Sequence, residues 1–185
     1  MICVQGGDRV SLPDRFDALM DLLKGMPESP PSASERALLF VYEPELEADF
    51  RRGVENLRRS LELQGVPHEV LDLTTLPYEV LGSLLDKSFE FDAVRPKVFR
   101  SDLARRLEPR LVDLIVERSR ALGRGLLILQ HTAALFPWVS YAAVLKALPT
   151  GLPSYILIPF PGTDTGASLH FMGKRNGFDY LARRV

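Results

Sequence analysis

The apolar positions of this chain keep two rhythms that alternate along its length. Phe16, Leu19, Met20 and Leu23 recur at helical spacing within Leu12–Lys24, and Gly25 is a natural stop. The segment 26–34 is rich in Pro and Ser and reads as a linker. Ala37–Tyr42 is then a continuous apolar run, the pattern of a strand buried on both faces. A long helix follows from Glu43-Pro44-Glu45, with Phe50, Val54, Leu57, Leu61 and Leu63 expected inward and Gly65 closing it. Acidic residues at its start suit the positive end of the helix dipole.

The same alternation continues. A second strand is expected over 68–73, and a helix capped by Thr74 or Thr75 runs to about Asp86. Residues 88–96 form a break. Leu103, Leu107, Leu111, Leu114, Ile115 and Leu122 make one stripe over 101–122. Pro109 interrupts that pattern, so it is either one kinked helix or two helices meeting there. A third strand is expected over 126–129. A helix then takes Pro137 in its first turn and shows Trp138, Tyr141, Leu145 and Leu148 on its apolar face. The fourth strand is 155–160. A Gly-containing loop, a short apolar piece at 168–172 and a terminal piece at 180–185 complete the chain.

Strands alternating with helices imply a parallel sheet with right-handed crossovers. The expectation is one three-layer α/β domain over 35–185, preceded by a helical arm and linker over 1–34. Its mainly parallel sheet has four or five strands flanked by helices, similar to P-loop NTPase or Rossmann folds without their nucleotide motifs. A flavodoxin-like strand order of about 2-1-3-4-5 is expected.

Composition narrows the function. The 185 residues suffice for one domain, and the hydrophobic and charged fractions of 46% and 25% are those of ordinary globular domains. A net charge of -1 gives no whole-molecule attraction to nucleic acid or anionic membrane. Cys3 is the single cysteine, which excludes an intramolecular disulfide and a thiolate zinc cluster and agrees with a reducing cytoplasm. Residues 1–15 lack the basic and apolar regions of a secretion signal, and no stretch approaches the roughly 18 apolar residues of a membrane span.

Several chemistries lack their motif. A P-loop needs a Gly-rich turn ending in Lys-Ser/Thr after the first strand; here Tyr42-Glu43-Pro44-Glu45 puts two carboxylates where phosphate would sit. The dinucleotide fingerprint fails for the same reason. There is no Gly-x-Ser-x-Gly elbow, and His68, His131 and His170 lie on separate elements without a His-x-x-x-His pair. No catalytic residue, cofactor or metal is therefore assigned.

Three constellations remain. Ligands of parallel α/β sheets gather beyond the carboxyl ends of strands. Glu43, His131 and Asp164 all fall there, so His131 is either an acid/base partner of Asp164 or Glu43 or a structural cap of the loop before Pro137. The loop 160–169 is the most unusual stretch: it is either a rigid docking loop or only the turn into the last strand. Arg106 and Arg110, four apart, share a face if the helix runs through Pro109, and would then reach phosphate or an acidic partner. Stacking aromatics are not interleaved with them. Trp138 is either core or an interface anchor.

Leu129, Phe136-Pro137, a helix ending near Leu148, Pro153, Pro161-Gly162, Gly166-Ala167-Ser168-Leu169 and Phe171-Met172-Gly173-Lys174 follow one another in a series. With Arg15-Phe16 and Tyr42-Glu43-Pro44, this series resembles the BrxB family of bacterial BREX phage-defence systems. The chain departs from that pattern at Thr163 and Asp164, at Met172, and in the tail from Asn176 to Tyr180. The resemblance implies a non-catalytic adaptor in a multi-protein defence assembly, with the alkaline-phosphatase-like PglZ component as partner. Pro161, Gly162, Thr163, Asp164, Ser168 and Phe171 are then the expected contact residues. An enzyme or nucleotide-binding protein with a degenerate site around Glu43, His131 and Asp164 is the first alternative. A DNA-contacting subunit using Arg106 and Arg110 is the second.

Overall fold

The computed structural model of the chain describes residues 11–25, 36–82, 96–164, 169–171, 174–176 and 182–185. Its elements are α1 (Leu12–Lys24), β1 (Ala37–Tyr42), a 3-10 turn (Pro44–Leu46), α2 (Glu47–Leu63), β2 (His68–Asp72), α3 (Leu76–Leu81), α4 (Pro96–Leu122), β3 (Leu126–Gln130), a second 3-10 turn (Thr132–Leu135), α5 (Tyr141–Ala147), β4 (Tyr155–Asp164), β5 (Leu169–Phe171), β6 (Lys174–Asn176) and β7 (Arg183–Arg184). The result is a mixed α/β domain whose mainly parallel sheet is flanked by helices, as the alternation predicts.

The strand order is β2-β3-β4-β1-β7, with every neighbouring pair parallel. This differs from the expected flavodoxin-like order: β4 lies between β1 and β3, and β2 neighbours β3. The connection from β1 to β2 runs one way along the sheet, and those from β2 to β3 and β3 to β4 run back. Right-handed crossovers then put their helices on opposite faces. The side chains agree. Leu38, Phe40, Tyr42, Leu126, Ile128 and Leu157 face α1 and α2. Leu39, Val41, Leu127, Leu129, Ile156 and Ile158 face α4 and α5. A period of two along each strand, combined with helices on both sides, is why the runs read as uniformly apolar.

Helix α1 belongs to the first of these layers. Ser11 caps it, and Phe16, Leu19 and Leu23 are buried against β1 and α2. The Phe16 ring lies 4.7 Å from that of Phe40 and 5.8 Å from that of Phe50, in tilted contact. This close approach depends on Gly53: a Cβ there would meet the Phe16 ring at 2.1 Å. The helix of the N-terminal segment thus packs on the sheet.

Other details decide alternatives left open by the sequence, at Pro109 and Trp138, or depart from its reading, at Pro137 and Leu63. Helix α4 is continuous across Pro109, and its carboxylate Glu108 accepts the N–H of Ser140 at 2.8 Å, joining α4 to the start of α5. Pro137 is not in a helical first turn. Phe136–Pro137 is cis, a 3-10 turn precedes it, and α5 starts at Tyr141 because the Ser140 hydroxyl caps the Ala143 N–H. Leu63 is not inward but 90% exposed, since it sits off the stripe that carries Val54, Leu57 and Leu61. Trp138 is half-buried and packs against the core. The expected extension of α3 toward Asp86 lies outside the described residues. No described helix is long and apolar enough to cross a membrane.

Gly53→Ala gains helix propensity of about 1 kcal/mol. The Phe16 ring is held by Phe40 and Phe50, so the overpacking wins. We expect a net destabilisation of about 1–2 kcal/mol in urea unfolding of the variant.

Candidate functional site

The carboxyl ends of the strands carry two separate constellations. The first lies between α1, β1 and β4. Strand β4 pairs with β1 as far as Pro161 opposite Tyr42, then runs on and pairs antiparallel with β5, Gly162 opposite Phe171 and Asp164 opposite Leu169. The segment read as a loop from Pro161 to Asp164 is therefore strand. Gly162 permits this, because a Cβ there would meet the His170 carbonyl oxygen at 2.1 Å. With β6, the extension forms a three-stranded antiparallel ribbon.

Two anchors hold the ribbon. Leu169 and Phe171 are buried, and the Phe171 ring lies 5.0 Å from both Phe136 and Phe160. The Arg184 guanidinium donates to both Asp164 carboxylate oxygens, at 3.0 and 2.7 Å, tying the ribbon to β7. Pro161, Gly162 and Phe171 are buried, so the contact surface expected from the sequence narrows to Thr163 and Asp164. Ser168 lies outside the described residues.

Beside this ribbon is a crevice of about 320 Å³. Arg15 of α1, Glu43 after β1 and Asp164 of β4 supply its charged groups, and Thr163 of β4 lies among them. Arg15 donates to the Val41 carbonyl, which fixes its stem over the end of β1. At the start of the 3-10 turn, Pro44 has no N–H to offer and the Leu46 N–H is taken by the Glu43 carbonyl at 2.8 Å. This strand end, with its carboxylates, is no cradle for phosphate. Tyr42 is buried beneath the crevice and donates to Glu47; burial, then that hydrogen bond, pushes its hydroxyl above the ordinary tyrosine range.

The second constellation lies at the ends of β2 and β3. His131 Nδ1 is 3.0 Å from Asp72 Oδ1, and His131 holds a left-handed backbone with φ of 59°. Asp72 also accepts the Thr74 N–H at 2.9 Å and the Thr74 hydroxyl at 2.8 Å. Partial burial pushes the Asp72 carboxyl up, but the Thr74 N–H, His131 and the Thr74 hydroxyl more than offset it and bring it down to about 2.

His131 therefore does not pair with Asp164 or Glu43, which corrects one expectation. The reason is strand order and length. Asp72 ends a strand registered with β3, opposite Gln130. Strand β4 overshoots: extending its register with β3 puts His131 level with Phe160, and Asp164 lies four residues beyond, roughly 13 Å at strand rise. Sequence reasoning missed Asp72 as the partner; its only signal was a carboxylate closing an adjacent strand.

Arg106 and Arg110 do share one continuous helix. Arg106 donates to Asp102 at 3.0 Å, and Arg105 pairs with the same carboxylate, so acid accompanies base on this face. Arg110 is exposed and turned toward the β2 edge. Among the described residues no group of three His, Cys, Asp or Glu side chains is placed to hold a metal ion. No known protein-family model matches the chain, and neither does any curated protein or solved structure.

A carboxyl lowered in the folded state stabilises the protein above its unfolded value of 3.8, and that share is lost as pH falls through about 2. The Asp72 side chain is 52% exposed, so solvent screening leaves about 1 kcal/mol or less. Asp72→Asn removes this part of the acid transition between about pH 4 and 2. Carbon-13 NMR of the Asp72 carboxyl and acid unfolding of both proteins check it.

Proposed function

We propose that the chain is a binding subunit that contacts a partner protein through the carboxyl-end ribbon and the crevice beside it. The observation that carries this reading is the double anchoring of the ribbon. Phe171 is buried below it, and Arg184 clamps Asp164, while Thr163 and Asp164 stay exposed at the crevice rim. An edge held in this way loses little conformational freedom on docking, and this is where preorganised recognition elements gain affinity. The crevice mixes Arg15 with Glu43 and Asp164, which suits a partner surface carrying both signs of charge.

The resemblance to the BrxB family supplies the partner. In this proposal the chain is an adaptor of a BREX-type phage-defence assembly in the cytoplasm, and the PglZ component docks on the ribbon. Its role there is positional; chemistry belongs to the components it joins.

Co-expression with a PglZ-type protein is expected to yield one complex that survives size-exclusion chromatography at micromolar concentration. Thr163→Arg, at an exposed position, weakens the complex by about tenfold or more with unchanged thermal stability. Separate elution of the two wild-type proteins, or an unaffected Thr163→Arg complex, overturns the reading.

A further inference from the structure

A second surface, away from the ribbon, has features that point to a different kind of partner. Strand β2 is the outer strand of the parallel sheet. Its ladder to β3 begins with the Leu126 N–H on the Pro67 carbonyl at 3.0 Å and ends with the Leu73 N–H on the Gln130 carbonyl at 3.1 Å. In a parallel pair the backbone groups of alternate residues turn to the same side. Pro67, Glu69, Leu71 and Leu73 thus face β3, and His68, Val70 and Asp72 direct their N–H and C=O groups outward. Among the described residues no backbone group pairs with these three.

A groove of about 410 Å³ runs along this edge and touches four consecutive residues of β2, from Glu69 to Asp72. Helices α3 and α4 wall it on one side. Its charged groups are Glu69, Asp72, Glu79, Glu117, Arg110 and Arg118. Arg118 is already paired with Glu69 at 3.2 Å. Carboxylates outnumber guanidinium groups two to one, although the chain as a whole is nearly neutral. Open edges are templates for a further strand, and charge selects which strand joins.

We infer that the β2 edge accepts an extended basic segment of a partner protein as an additional strand. Its backbone bonds to Val70 and Asp72, and its Lys or Arg side chains meet Glu79, Glu117 and Asp72. The chain's own residues 83–95, between α3 and α4, carry Asp86, Glu90 and Asp92 against Lys87 and Arg95, so their charge does not complement the groove.

The test uses the full chain and a short synthetic peptide alternating Lys with Val, with a Glu–Val peptide as control. Fluorescence anisotropy is expected to show saturable binding of the Lys peptide alone. Amide hydrogen exchange is expected to slow at Val70 and Asp72 on binding. Glu79→Lys combined with Glu117→Lys, both solvent-side positions, weakens binding about tenfold or more. Three results overturn the inference: no binding, equal binding of the Glu peptide, or Val70 and Asp72 amides already protected in the free chain. Binding without slowed exchange at these amides is electrostatic adsorption and also overturns it. The ribbon variant Thr163→Arg binds the Lys peptide unchanged, which separates this surface from the proposed docking site.

Discussion

The pairing of β1 with β4 is the constraint from which the rest of the molecule follows. Both strands are buried on both faces, and six consecutive residues of β1 register with Ile156 to Pro161 of β4. Burying a Leu, Ile, Val or Phe side chain from water contributes about 1.5–3 kcal/mol. A central pair with apolar residues on both faces therefore demands a helical layer on each side. Helices α1 and α2 cover one face, and α4 and α5 cover the other. The same pairing places the end of β1 beside the overhanging end of β4, which makes the crevice.

The elements were largely legible from their apolar rhythm because each strand and helix buries a face whose period shows locally. The stripe from Leu103 to Ile115 is buried as its spacing demands, even across Pro109. Where reading failed, the deciding partner lay far away in the chain. Pro137 looks like a helix start, but the Ser140 hydroxyl caps a helix that begins later, and Glu108 of α4 secures that cap residue's N–H. Leu63 is apolar and adjacent to a buried stripe, yet points into solvent.

The candidate site was less legible than the fold, for a topological reason. Of the three residues taken together from the sequence, Glu43 and His131 lie just beyond strand ends and Asp164 closes β4 itself. Only the strand order says which ends are neighbours. An order with β1 next to β3 brings Glu43 to His131; the observed order inserts β4 and seats β2 beside β3, so His131 meets Asp72. The Pro-Gly segment was also legible as unusual but not as strand, since its partner β5 comes later and its closeness depends on the missing Cβ of Gly162.

The order of the sheet has a consequence for the chain as it is made. Strand β1 emerges early, but its neighbours β4 and β7 are the last strands of the parallel sheet to be synthesised. Until then, Ala37–Tyr42 has no strand on either side, although helices for both of its faces have already been made. Such non-local pairing slows folding and leaves apolar edges open to other chains. A ribosome-bound fragment that ends before Tyr155 holds an orphaned central strand, so this domain closes only as its C-terminal third leaves the exit tunnel.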